Sequence, residues 1–218
     1  ESFEERKTRI RNSSPFGHMK NWSLKSFIVK ANDDLRQERL AMQLIMKFQQ
    51  VFKNDNVPIQ LIPYHIAVSG EDSGLIETVV DTVSLSSLKK KFPNYVSLID
   101  YFRKVYGNEN TASFREAQRN FTESVAGYSV VTYLLQIKDR HNGNILLHRN
   151  GQLIHIDFGF MLANSPGAIN FESAPFKLPM DFVDVMGGVN SDMFNHFRVL
   201  VFYAFQSAAK NVDKFVSL

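Results

Sequence analysis

Between Gln136 and Gly159 the chain reads QIKDRHNGNILLHRNGQLIHIDFG, and the Asn150-Gly151 pair near its centre constrains the fold most. Asn-Gly between two apolar runs is a hairpin signal, because both residues accept the positive φ that matches the twist of paired strands. A hairpin brings its own ends together. Asp139, His141 and Asn144 then enter beside the point where Asp157 leaves. A solvated loop has no use for the Ile and Leu runs, and a plain core has little use for so many polar groups. The pattern therefore points to a site. His148 and His155 read as ordinary hairpin-surface and strand residues.

The rest of the chain fits around this element. Thr111–Ile137 has no proline and reads as one long, largely buried helix that delivers the chain into the hairpin. Asn21–Lys30 reads as a strand ending at a lysine. A helix follows, capped by Asp33 or Asp34, with Leu40, Leu44, Phe48 and Val51 at helical spacing. PIQLIPYHIAVS and GLIETVV look like two strands parted by GEDSG. Glu1–Val80 is thus expected to hold strands plus one helix. Its basic start, with Arg6, Lys7, Arg9, Arg11 and Lys20, reads as a solvated strand face. Later helices are expected over SLIDYFRKVY, stopped by Gly107, over DFVDVM, stopped by Gly187, and over Ser191–Phe215. The last is apolar on most faces, so further helices beyond Leu218 are expected to cover it.

Composition narrows the class. With 44% hydrophobic residues in 218, the chain can bury a sizeable core. No apolar run reaches the length of a membrane span, and the N-terminus lacks the layout of a signal peptide. The absence of cysteine excludes a disulfide framework and thiolate metal sites, and suits a cytosolic setting. A net charge of +3 is a mild tilt towards anions, too weak to argue for nucleic acid.

The polar set around the hairpin matches the needs of phosphoryl transfer. Asn144 offers an amide oxygen and Asp157 a carboxylate, the hard ligands that Mg²⁺ takes together with phosphate oxygens. Asp139 stands five residues before Asn144, the offset of the catalytic aspartate and asparagine in protein kinases, although the triplet here is reversed as Asp139-Arg140-His141. Asp157-Phe158-Gly159 follows. Lys30 at a strand end, with Glu38 or Asp33 on the next helix, supplies the cation and acid such an enzyme needs for ATP phosphates. No glycine-rich loop is present. Asn12–His18 stands in its place, where the hydroxyl of Ser14 and backbone N–H groups can meet phosphate.

With SPFGH, DDLRQE, IKDRHNGNI, HIDFGF and FVDVMGG in place, nearly the whole chain resembles the phosphatidylinositol 3-/4-kinase superfamily, most closely its type III beta 4-kinase branch. The resemblance implies an α+β, two-lobed kinase-like fold, with residues 1–80 as the N-lobe and 81–218 as a C-lobe that would continue in further helices. It implies transfer of the ATP γ-phosphate to the 4-hydroxyl of phosphatidylinositol. A 3-kinase or protein kinase of the superfamily, or a pseudokinase, is the alternative. By the same resemblance Lys30 would hold the ATP phosphates and Glu38 would orient it. LIETVV would be the hinge, contributing Glu77 and the backbone of Val79, with Tyr64 and Ile156 lining the nucleotide pocket. Asn144 and Asp157 would bind Mg²⁺, or Mn²⁺. His141 would accept the proton and Asp139 would position, although the residues themselves leave open which of the two is the base. The activation segment, Phe160 to Pro179, carries one lysine, Lys177, and one acid, Glu172. A single lysine suits the lone phosphodiester of phosphatidylinositol better than a polyphosphorylated headgroup. The resemblance further implies peripheral association with Golgi or other internal membranes, and small GTPases and adaptor proteins as regulators.

Overall fold

The computed structural model describes residues 1–92, 94–162 and 174–217. The chain runs α1 (Phe3–Ser13), β1 (Phe27–Ala31), α2 (Arg36–Asn54), β2 (Ile66–Gly70), β3 (Ser73–Glu77), β4 (Thr82–Ser84), α3 (Leu85–Lys91), α4 (Leu98–Tyr106), α5 (Ala112–Leu134), β5 (Ile145–His148), β6 (Leu153–His155), α6 (Met180–Val185), α7 (Asp192–Lys210) and α8 (Asp213–Val216). This is the expected α+β architecture. Two antiparallel three-stranded sheets, in the orders β1-β3-β2 and β4-β5-β6, are joined through residues 78–81.

Helix α5 is the centre of the molecule. Every residue from Phe121 to Thr132 is buried, so the helix must be covered on all sides. Its buried hydroxyls bond back into its own turns: Thr122 to Gln118 O at 2.8 Å, and Ser124 to Asn120 O at 2.8 Å. Ser124 Oγ also accepts the Leu153 N–H at 2.8 Å, which fixes the edge strand β6 onto α5. The hairpin forms where Asn150-Gly151 predicts it. Gly151 has φ +93°, and a Cβ there would lie 2.5 Å from Ala117 O. Turn conformation and close approach to α5 therefore both demand glycine.

Two apolar clusters meet at α5. One joins Phe48, Val51 and Phe52 of α2 to Tyr128 and Val131 of α5 and to Ala204 and Ala208 of α7. The other lies under the hairpin and includes Phe102, Phe121, Ile145, Leu147, Phe182 and Phe197. The C-terminal elements also brace α2 directly. Asp55, just past α2, accepts from Ser207 Oγ at 2.7 Å and Asn211 Nδ2 at 3.1 Å, and Phe215 packs on Phe48 with ring centroids 4.2 Å apart.

Several expectations need correction. The basic start is a helix, not a strand face: Ser2 and Glu5 form a reciprocal capping box that opens α1. The N-cap of α2 is Leu35, with no side-chain cap. Asp33 is committed to Lys30, and Asp34 to the Arg36 N–H and guanidinium. Leu40 faces solvent, although Leu44, Phe48 and Val51 are buried as expected. The first strand is only Phe27–Ala31, and of PIQLIPYHIAVS only the part from Ile66 is strand. β4 and α3 have no counterpart in the sequence reading. The C-terminal helix breaks after Lys210, where Asn211 turns to Asp55 and to Ser207 O. Helix α7 buries one stripe, with Phe197, Leu200 and Ala204, and leaves Val199, Phe202, Tyr203 and Phe205 exposed among the described residues.

Candidate active site

After α5 the chain turns through Asp139, which sits at φ +60°, and after β6 it turns through Asp157 at φ +61°. Aspartate tolerates this left-handed region better than most residues. Hydrogen bonds lock the two turns together. Ile156 N–H donates to Asn144 O at 3.0 Å, and Lys138 N–H to Phe160 O at 3.0 Å. The buried guanidinium of Arg140 donates to Lys138 O at 2.9 Å, to Ile156 O at 2.8 Å and to Asp157 O, and its carbon lies 5.4 Å from the centre of the Phe158 ring. Arg140 thus staples one turn to the other through carbonyls. The sequence reading gave it no role because these bonds go to backbone carbonyls, which leave no partner residue type to find.

Asn144 is buried and donates Nδ2–H to Asp139 O at 3.2 Å, which leaves its amide oxygen as an acceptor. The Asp157 carboxylate is exposed and takes no hydrogen bond among the described residues. One amide oxygen and one uncommitted carboxylate fit a divalent ion that keeps water and phosphate oxygens for its other positions. No cluster of three or more His, Asp or Glu able to hold a metal occurs among the described residues, so an all-protein cage is not what this site offers.

His141 and Asp139 are neighbours, with Nε2 and Oδ2 3.9 Å apart. Gly143 N–H donates to His141 Nδ1 at 3.0 Å. The neutral ring therefore carries its proton on Nε2, and its lone pair is already used. The Asp139 carboxylate, by contrast, accepts no hydrogen bond among the described residues.

From the other sheet, Lys30 Nζ lies 3.0 Å from Asp33 Oδ2. Its pKa is raised, chiefly by that hydrogen bond, with smaller contributions from the charges of Glu38 and Asp157. The direct partner of Lys30 is thus Asp33, while Glu38 stands near. Glu38 instead accepts a short hydrogen bond from the Tyr64 hydroxyl. Burial raises the Glu38 pKa, and Tyr64 opposes that shift. Burial also pushes the Tyr64 phenol far up, so it remains a donor. Replacing Tyr64 by Phe should remove this buried, charge-directed bond and cost about 2 kcal/mol, read from a denaturant midpoint. A loss below a few tenths would show that Glu38 finds another donor. Gln37 Nε2 donates to Phe158 O at 3.3 Å and Gly159 O at 2.8 Å. Helix α2 therefore holds the Asp157-Phe158-Gly159 turn from one side while Arg140 holds it from the other.

Val79 and Ile156 are both partly buried against the cluster that contains Tyr64. The Glu77 carboxylate is engaged by His65, through its N–H at 3.0 Å and its Nδ1 at 2.6 Å, and His65 lowers its pKa. Any contact of Glu77 with a ligand would then be through backbone. Ser14 closes α1 and accepts from Phe16 N–H at 3.2 Å, a local turn that does not touch Lys30 or Asp157. Lys177 donates to Arg140 O at 2.8 Å and Asn142 Oδ1 at 2.9 Å, so it is seated on the loop between α5 and β5. Glu172 lies outside the described residues. His148 is the last residue of β5, beside the turn, and is bonded to Asn150. His155 is buried and stacked 4.7 Å from Tyr128, and burial drives its pKa well down.

Comparison with known proteins points the same way. Residues 25–218 match the family described as phosphatidylinositol 3- and 4-kinase. Over all 218 residues the chain is 53% identical to a phosphatidylinositol 4-kinase of Dictyostelium discoideum, 18% of which it covers. It is 50% identical to the phosphatidylinositol 4-kinase beta of Rattus norvegicus and to that of Mus musculus, covering 26% of each. The chain spans only 18–26% of the length of these curated relatives.

Proposed function

Because the chain belongs to the phosphatidylinositol 3- and 4-kinase family, we propose that it carries the catalytic centre of a lipid kinase that transfers the γ-phosphate of ATP to the 4-hydroxyl of phosphatidylinositol. The observation that carries this reading is the grip on one turn: Arg140 holds Asp157 from the hairpin side, and Gln37 of α2, next to Glu38, holds Phe158 and Gly159 from the side on which Lys30 pairs with Asp33. The relatives' names favour the 4-position.

In this reading residues 1–80 form the nucleotide lobe, residues 81–218 the catalytic lobe, and LIETVV, residues 75–80, the hinge between them. Lys30 holds the ATP phosphates, kept charged by Asp33 and Glu38. Val79 meets adenine through its backbone, with Tyr64 and Ile156 behind the pocket. The loop at Ser14 approaches the phosphates through backbone N–H groups. Asn144 and Asp157 would hold Mg²⁺, which when bound neutralises charge on the transferring group. Asp139 takes the proton of the attacking hydroxyl, and His141 holds Asp139 and the loop in register. Lys177 faces the headgroup phosphodiester. No helix among the described residues is long and apolar enough to cross a membrane. Peripheral attachment to Golgi or other internal membranes, regulated by small GTPases and adaptor proteins, is the setting this reading expects.

The test is ATP turnover on phosphatidylinositol vesicles with the product isomer identified. The 4-phosphate is expected, and a 3-phosphate or no lipid product overturns the reading. In the same assay Lys177→Ala should lower lipid phosphorylation about tenfold, the loss of one charge-assisted contact, with basal ATP hydrolysis nearly unchanged. Equal loss of both activities would assign Lys177 to the loop structure alone.

A further inference from the structure

Helix α1 buries none of its residues, yet both of its ends are tied. At its C-terminal end the Arg11 guanidinium donates to Gly17 O at 2.8 Å and Met19 O at 3.4 Å, and it lies 5.8 Å from the centre of the Trp22 ring. A Cβ on Gly17 would fall 2.0 Å from Arg11 O, so the 14–20 loop is pressed against the helix end. At the other end the Phe3 N–H donates to Asp81 Oδ1 at 2.8 Å. That N–H is in the first turn, where helix donors have no partner within the helix and the dipole favours an anion. Asp81 therefore caps α1 from 78 residues away.

Asp81 closes the connector between the two sheets. It sits at φ +55°, and its carbonyl accepts the Arg149 N–H at 3.0 Å. Upstream, Thr78 N–H donates to Ser26 O at 3.0 Å. Between the two ends of α1 an 11-residue helix spans about 16 Å. A cleft of about 600 Å³, lined by Phe3, Arg6, Val79, Asp81, Tyr101 and Arg149 among others, leaves the flank of the helix unpacked. The helix thus touches the connector by its tip and works as a strut.

We infer that Asp81 is a positioning residue for nucleotide binding: through α1 it sets the spacing between the 14–20 loop and the 78–81 connector. This rests on the kinase reading, in which those two segments contact the ATP phosphates and adenine. The strut carries no reacting group, so its loss should weaken ATP binding and leave the rate at saturation alone.

Two substitutions break the contact from opposite sides without breaking the elements. Phe3→Pro removes the donor at a position where helices accept proline, and Asp81→Gly removes the acceptor while keeping the left-handed backbone. Phe3→Ala keeps the donor, and Asp81→Asn keeps both an acceptor oxygen and a tolerance of positive φ. In the full chain, Phe3→Pro and Asp81→Gly should each raise KM for ATP about fivefold with kcat within about twofold. Both should speed hydrogen exchange at residues 3–13 and 78–83, and the double variant should add nothing. Phe3→Ala and Asp81→Asn should match wild type. Unchanged KM and exchange in Phe3→Pro, or a fall in kcat and stability with KM intact, overturns the inference, as does Asp81→Asn behaving like Asp81→Gly. If wild type binds no ATP the kinase reading falls. The exchange pattern still decides whether Asp81 holds the strut.

Discussion

Asp157→Asn should lower phosphoryl transfer about a thousandfold or more, the loss of several kcal/mol of charge stabilisation at the transferring group, while the fold survives. Everything that shapes this turn acts on backbone. Arg140 takes Asp157 O, and Gln37 takes Phe158 O and Gly159 O. The side chain itself bonds nothing among the described residues, and asparagine accepts the same φ of +61°. The melting temperature should therefore stay within about 2 °C of wild type. The measurement is single-turnover transfer to vesicles at several Mg²⁺ concentrations, beside a thermal melt. Turnover within about tenfold of wild type in a folded variant would remove Asp157 from the metal site.

Arg140→Met should be the most destabilising single change near the site. It leaves Lys138 O, Ile156 O and Asp157 O without their donor in a place that is 6% exposed. At about 1 kcal/mol for each orphaned acceptor, the loss is about 3 kcal/mol, or about 6–12 °C in melting temperature for a chain of this size. Lysine has one ammonium where arginine has a fork, so Arg140→Lys should recover only part of this. Activity should fall in both variants because the turn that carries Asp157 loses its back support. A lysine variant as stable as wild type would show that one bond, not the fork, holds the two turns.

What was legible in the sequence followed from periodicity and turn chemistry. The α5 stretch, the Asn150-Gly151 hairpin and the stops at Gly107 and Gly187 are local decisions, and they appear where the residues dictate. Helix α1 was missed because it is polar all round and carries no apolar stripe, although Ser2 and Glu5 held a capping signal. β4 is three residues long and exists only by pairing with β5 across the chain, from Thr82 to His148. Of the candidate site, the hairpin residues converge as the turn required. Lys30, Asp33 and Glu38 were legible as a group, but not as pairs. Sequence spacing favours Glu38 no less than Asp33, and the choice is made by the Tyr64 hydroxyl, which arrives from a distant segment to occupy Glu38. Arg140 and Asp81 were illegible for one reason: each bonds main-chain groups, and a main-chain partner has no residue type to recognise.

The apolar interior that α2 shares with α5 and α7 decides how this molecule comes apart. If each sheet owned a separate core, heat would loosen one half before the other. Here Phe48, Val131 and Ala204 lie in one interior, and Phe215 presses on Phe48 from the C-terminal side. The hairpin sheet has its own cluster as well, but α5 contributes to both, so losing either interior uncovers that helix and the two are expected to melt together. Low-cost fluctuation is left to what lies outside that interior, such as strand β1, where Phe27, Ile28 and Val29 stand in solvent. The segment that carries Lys30 is then expected to open more readily than the turn that carries Asp157, which Arg140 and Gln37 hold from two sides.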